Sequence, residues 1–313
     1  MSQAGKNTLG IPKVSIWKRI WKHRALMLML LVGLVYYAIF CYGPMYGIQI
    51  AFKDYKFRRG IWGSEWVGLE WFRKMFSGQN FLMVFRNTLL ISLYKLIAGF
   101  PAPIIFALLL NELDGKWFKK TIQTVSYLPH FLSWVILGGI FMQILSPSTG
   151  AVNYIIKMFG GTPIYFLGDI RWFRSTMVIL SVWKGFGWGS IIYLATMSSI
   201  NPELYEAATI DGANRWRQTI NITLPALAPI IAIMFIMNSG SIINDDFDQI
   251  FNLYNETVYR VGDVISTYTY RQGLVEMKYS YTTAVGLFKN VISFGIILLT
   301  NFITSKFSDY GIW

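Results

Sequence analysis

Charge is scarce in this sequence. Only 14% of its 313 residues are Asp, Glu, Lys or Arg, where a soluble domain carries about 25%. That deficit leaves too few charged side chains to coat a water-exposed surface, so much of the surface must meet another solvent. Cysteine is nearly absent, and a lone Cys41 excludes an intrachain disulfide. The two histidines, His23 and His130, stand in unrelated contexts with no ligand-spaced partner. No G-x-x-x-x-G-K-[ST] occurs, since Gly115-Lys116 runs into Trp117; the chain has no phosphate-binding loop. Its apolar runs also lack paired carboxylates, a His cluster or a nucleophile–base pair, which weighs against an intramembrane lipid or glycosyl transferase.

What is present is apolar and aromatic: 54% hydrophobic residues and 17% Phe, Trp and Tyr. Runs near 26–46, 84–110, 122–145, 174–198, 222–240 and 283–304 reach roughly the 20 residues that cross a bilayer. They predict an all-α integral membrane protein with six transmembrane helices. A basic N-terminal segment (1–25), a six-span domain (26–305) and a short tail (306–313) follow from those boundaries. Gly99, Pro101 and Pro103 predict a kink in the second span, which neighbouring helices can tolerate.

The net charge of +12 is scattered between apolar runs and includes no basic recognition helix or RNA-binding aromatic motif, so no nucleic acid partner is expected. Anionic lipid and topology explain it more simply. Lys6, Lys13, Lys18, Arg19, Lys22 and Arg24 precede a charge-free run from Ala25 to Ala51. That run is too long for a signal peptide and lacks a small-x-small cleavage site, so a retained first helix with a cytoplasmic basic flank is expected. Six spans then place both termini in the cytoplasm. Lys116, Lys119, Lys120, Arg215 and Arg217 agree with that orientation, while the basic residues of the 47–83 loop oppose it. Trp62, Trp66, Trp71 and Phe72 suggest that this loop lies on the outer interface.

The most informative stretch is Asn201 to Pro225, NPELYEAATIDGANRWRQTINITLP. Asn201 is a natural N-cap, Pro202 suits the first helical position, and Glu203 falls in the first turn. Asp211-Gly212 stops the helix, because glycine accepts a positive φ. A second helical piece through Arg215 and Trp216 leads into the fifth span. On physics alone, an ordinary amphipathic connecting loop fits as well as a docking element.

Resemblance separates the two. Glu206-Ala207-Ala208, Gly212, Ile222 and Leu224-Pro225, at these spacings, resemble the EAA signature of importer permeases in the ABC superfamily. Similarity to the sugar-importing branch extends over most of the chain, through YLPHFLSWVILGGIF (127–141), WKGFGWGSIIYLA (183–195) and FDQIFNLYN (247–255). It is nearest the permeases of oligosaccharide or polysaccharide-fragment importers, the LplB-like group. The resemblance implies a type I importer permease (MetI-like) fold in the bacterial cytoplasmic membrane. Its cytoplasmic coupling helix would contact an ATPase through Glu206, Ala207, Ala208, Asp211 and Gly212. Also implied are a second, different permease, a dimer of ATPase subunits that binds ATP and Mg, and an extracellular or periplasmic solute-binding protein. No cofactor or metal is expected in this chain, which is not itself an enzyme.

For the solute path, Lys184 stands mid-span, where charge is costly and functional by default. Trp183, Phe186 and Trp188 flank it, interleaved with Gly185, Gly187 and Gly189. Aromatic faces beside donors suit sugar rings, and a lysine suits an acidic sugar. The opposing reading is that the glycines permit close packing and Lys184 pairs with a carboxylate or carbonyl. Lys95 and Lys289 carry the same ambiguity and could snorkel to an interface. Asn244, Asp245, Asp246 and Asp248 lack the glycine and terminal glutamate of a calcium loop, and are expected to line a vestibule or cap a helix. Asp248, Gln249 and Asn252 are pathway candidates, the last two by resemblance. An amino acid, metal or phosphate as solute is the alternative within transport.

Overall fold

A computed structural model describes residues 21–240, 242–243 and 245–307. Most of the basic N-terminus, Asn244 and most of the tail lie outside the described residues. Among the described residues, five helices are long and apolar enough to span a membrane. The first, α1, runs from Arg24 to Phe52 with none of its apolar stretch buried within the chain. Its last turns pack against the final helix. A two-residue hairpin (β1, Lys53–Asp54; β2, Glu65–Trp66) and α2 (Glu70–Ser77) follow. Here Trp71 Nε1 donates to the Lys53 carbonyl (2.9 Å), and Trp62 and Trp66 are exposed.

The second span joins α3 (Gln79–Gly99) to α4 (Pro101–Asn111). The expected kink is milder than proline content suggests. Phe100 stays helical and donates to Leu96 O (2.9 Å), so the two pieces form one 33-residue span. Pro101 and Pro103 have no amide N–H to offer the carbonyls of Ile97 and Gly99, so the ladder lacks two bonds there while the helix continues.

The third expected span is not one straight helix. It consists of α5 (Lys116–Tyr127), a 3-10 turn Leu128–Phe131 and α6 (Trp134–Ile144), bent by 104°. Pro129 tightens the end of the first piece, Leu132 turns extended, and Ser133 restarts the helix by accepting a bond from Ile136 N (3.4 Å). This bent pair brings the number of possible spans to six. After α7 (Ala151–Met158) come α8 (Phe173–Ser198), α9 (Pro202–Ile210) and α10 (Arg215–Ser239), the last an unbroken span through a π turn at Thr219–Thr223. Short helices α11 (Phe247–Leu253) and α12 (Ile265–Tyr270) precede the last span, α13 (Tyr279–Phe307).

Apolar clusters among the described residues hold the bundle. Trp134, Leu137 and Phe141 of α6 meet Phe173, Met177 and Leu180 of α8 and Leu253 of α11. Phe81 and Val84 of α3 meet Ile265 and Tyr268 of α12 and Val285 of α13. Ala107, Tyr193, Met197 and Leu227 join α4, α8 and α10. In lipid these contacts act through packing and not through escape from water.

Candidate functional site

The loop between α8 and α10 is built as a rigid projection. Asn201 Oδ1 accepts from Glu203 N (3.1 Å) and caps α9. At the other end Gly212 takes φ +75°. The Ala213 amide then bonds Ala208 O (2.8 Å) and the Gly212 amide bonds Thr209 O (3.1 Å), the paired bonds of a Schellman ending. Asn214 caps the next turn by accepting from Arg217 N (2.9 Å). Tyr205 hydroxyl to Thr223 Oγ1 (2.9 Å) and Gln218 Nε2 to Thr209 Oγ1 (3.0 Å) clamp the two arms together. Arg215 reaches Glu112 (3.5 Å) and Asp114 (3.6 Å), so the α4–α5 and α8–α10 connections sit at one end of the bundle.

No residue of α9 is buried. Glu206, Ala207, Asp211 and Gly212 are exposed and Ala208 is half-buried. Leu204 (53%), Ile210 (87%) and Trp216 (70%) add large exposed apolar side chains on a connection too polar to embed. The surface offers a carboxylate, a small flat alanine face and apolar anchors, as a protein partner would use.

A cavity of about 320 Å³ opens between α3, α8 and α10, lined by Ser92, Lys95, Ser181, Gly185, Asn238 and Asp246 among others. Two lysine–carboxylate pairs stand at it: Lys95–Asp246 on its wall, and Lys289–Asp245, which reaches it through Asp245 alone. Lys95 donates to Gln249 Oε1 and lies 3.9 Å from Asp246, whose Oδ2 also accepts from Trp134 Nε1 (2.9 Å). Lys289 Nζ lies 2.8 Å from Asp245, which accepts from Ser266 N (2.7 Å). Gln249 is fully buried and donates to Met177 O (2.7 Å). Intramembrane charges are tolerated when paired and bonded in this way. Lys95 and Lys289 therefore hold carboxylates, where the sequence also allowed snorkelling. Among the described residues, no three His, Cys, Asp or Glu side chains form a group that could hold a metal.

The candidates divide between two regions. Gln249 stands beside the cavity. Asp248 is exposed, with its carbonyl taken by Asn252 Nδ2 (2.7 Å), and Asn252 packs on Gly138. Trp183, Lys184 and Trp188 do not line the cavity. Trp183 meets Phe141 edge-on, and Trp188 stacks on His130 at 4.6 Å. Lys184 donates to the His130 carbonyl (3.4 Å) and lies over the Trp134 ring. They form the face of α8 that meets the bent α5–α6 pair. Gly187 allows that approach, since a Cβ there would come within 2.1 Å of Ser126 O. Sequence reasoning missed Ser181 and Asn238, which are unremarkable until α8 and α10 are placed together.

The family model for binding-protein-dependent transport system inner membrane components matches residues 99–308. The chain is 43% identical to Protein LplB of Bacillus subtilis over 288 residues, 92% of this chain and 91% of that protein. It is 41% identical to the polygalacturonan/rhamnogalacturonan transport system permease protein YteP of Bacillus subtilis, over 94% of this chain and 92% of that one. Among solved structures, a bacterial ABC transporter involved in the import of the acidic polysaccharide alginate matches with TM-score 0.86 and 41% identity. That match covers 93% of this chain and 98% of the other. With two thirds of its length matched by the family model and near-full-length relatives above 40% identity, the chain belongs to the binding-protein-dependent transport system inner membrane components, as an ABC importer permease of MetI-like fold.

Proposed function

We propose that this chain is one transmembrane half of an ATP-driven importer that moves oligosaccharides, acidic polysaccharide fragments above all, across a bacterial cytoplasmic membrane. The capped, exposed α9 with Gly212 at its end carries the reading: it is a stiff lever fixed to two spans, with none of its residues buried. Glu206, Ala207, Ala208, Asp211 and Gly212 would contact an ATPase subunit, which binds ATP and Mg, as this chain has no phosphate-binding loop. Both termini and the α9 loop would then be cytoplasmic. A second permease and lipid would cover the bare α1, and a solute-binding protein would deliver cargo at the opposite end. Closure of the ATPase pair would push α9, rock α8 and α10, and switch the cavity beside Lys95 between the two sides.

The acidic-sugar reading rests on the relatives, whose names include polygalacturonan/rhamnogalacturonan transport and alginate import, and on lysine at the cavity wall. Uronates carry carboxylates that a lysine can meet by a charge-assisted hydrogen bond. The test is purification of the tagged chain in mild detergent with mass spectrometry of what accompanies it. An ATPase and a second permease in fixed stoichiometry, both released when Glu206 and Gly212 are replaced together, is the expected result. A chain that emerges alone even after cross-linking sinks the reading. Titration of the accompanying binding protein with oligogalacturonate against neutral oligosaccharides then decides the solute class.

A further inference from the structure

On the flank of α3 turned away from the Lys95 cavity, three arginines converge with no carboxylate among them. Arg86 of α3, Arg174 of α8 and Arg260 of the single helical turn Tyr259–Gly262 line one hollow of about 560 Å³. Arg174 is held in place: its Nε donates to Val261 O (3.0 Å) and one terminal nitrogen to Asn87 Oδ1 (2.7 Å). Asn87 is 1% exposed, and its Nδ2 bonds the carbonyls of Arg260 and Asp263 (3.1 Å each). That network uses both ends of the amide. The Asp263 carboxylate is itself taken by Arg271 (2.5 Å) and Thr267 (2.8 Å). Among the described residues, the guanidinium groups of Arg86 and Arg260 have no hydrogen-bond acceptor and no ion-pair partner. Three like charges around one hollow repel each other, and a bound anion relieves that repulsion.

The hollow continues into a second one of about 460 Å³ that shares Arg174 and Ile170 with it. This extension follows α3 and α8 between Ile97, Ala98, Val178 and Ile179, and Ile97 and Ile179 are 63% and 65% exposed. From Arg86 to Ile97 the helix rises about 16 Å at its usual rise per residue. One leaflet of hydrocarbon is about 15 Å deep. A cationic mouth above an apolar groove of one leaflet's depth matches a charged headgroup with its acyl chains. A sugar acid would satisfy the arginines and leave the groove empty. At about 3.6 residues per turn, Arg86 and Ile97 also face away from Ser92, Lys95 and Gly99, so the site is separate from the cavity.

We propose that this site binds an anionic phospholipid, its phosphate among Arg86, Arg174 and Arg260 and its chains along α3 and α8. The arginines lie at the end of the bundle opposite the α9 loop. The assignment to the outer leaflet therefore rests on the cytoplasmic placement of that loop proposed above, while binding itself does not.

The test uses the whole transporter, purified with its partners and placed in nanodiscs of phosphatidylcholine containing one fifth phosphatidylglycerol. Lipid that stays bound after exchange into detergent is measured by mass spectrometry. R86Q/R260Q removes two charges that bond nothing among the described residues, so assembly should be unchanged. Retention of phosphatidylglycerol should weaken on the order of thirtyfold, while R86K/R260K should keep most of it. Equal retention by R86Q/R260Q and the unmodified transporter overturns the proposal. So does a cross-link from Ile179 to a partner permease helix lying in the groove. If R86Q/R260Q fails to assemble, R86Q alone is read in the same way. Because the readout is lipid and not uptake, failure of the importer reading leaves this result interpretable. Access of a water-soluble quencher to a label beside Arg86, from one side of sealed vesicles, then reports the leaflet.

Discussion

Lys289 of α13 and Asp245, just ahead of α11, form an ion pair of 2.8 Å in which the carboxylate is 1% exposed. The second carboxylate oxygen is used by Ser266 N, so Asp245 ties the last span to the start of α12. Removing one partner leaves a charge inside a membrane protein without compensation, which costs about 3–5 kcal/mol. Lys289→Met is expected to lower the unfolding temperature of the purified protein sharply. The double change Lys289→Met with Asp245→Asn should recover much of that loss. Thermal unfolding of the single and double variants measures the coupling, and equal losses in both would sink the paired role.

Gly212 is separated from other groups by open space, yet its φ of +75° is one that L side chains rarely adopt. The penalty of substitution is therefore conformational and not steric. Asparagine tolerates that region, whereas a β-branched residue does not. Gly212→Asn should keep transport near the original level. Gly212→Val, at roughly 1–2 kcal/mol or more of backbone strain, should uncouple ATP hydrolysis from uptake without preventing insertion. Uptake and ATPase assays on the same preparations check it; equal behaviour of the two variants would mean that the turn does not set coupling.

Much of this loop was legible in the sequence because its signals are local. Asn201, Pro202 and Gly212 each dictate the backbone at their own position. The spans were legible as apolar runs, but hydropathy carries no direction, so the 104° bend between α5 and α6 was read as one helix. Its cause, Pro129 followed by the cap Ser133, was present in the sequence and hidden by the surrounding apolar residues. The cavity was less legible. Trp183, Gly185, Gly187 and Gly189 are close in sequence, but steps of two residues on a helix turn about 200°. Gly185 and Gly189 therefore face the cavity while Trp183 faces α6. Lys95 finds Gln249 more than 150 residues away, a pairing that no local pattern announces.

The two intramembrane lysines of α3 and α8 make a matched comparison. Lys95 reaches Gln249 and Asp246 beside the cavity, whereas Lys184 has a long bond to a carbonyl and a ring contact. Lys184→Gln should cost about 1 kcal/mol of stability and leave the apparent KM for an acidic oligosaccharide unchanged. Lys95→Gln should raise that KM several-fold, about 1 kcal/mol of lost binding. Uptake by proteoliposomes at varied substrate concentration measures both. A larger KM effect at Lys184 would return the pathway to the aromatic face of α8.

The glycines of α8 supply the sharpest structural contrast. At Gly187 an added Cβ would stand 2.1 Å from the backbone oxygen of Ser126, while at Gly185 it would meet nothing within 4 Å. A backbone oxygen cannot rotate aside as a side chain can, so α5 must shift as a body to admit the methyl group. Such overpacking costs about 1–3 kcal/mol, and the stack of Trp188 on His130 would move with it. Gly187→Ala is expected to reduce the thermal stability and yield of the protein. Gly185→Ala should fold normally, and because Gly185 lines the cavity, its effect should fall on uptake of the longer oligosaccharides. Unfolding temperature and length-resolved uptake separate the two outcomes. A stable Gly187→Ala variant would show that the α5–α8 contact is looser than this geometry requires.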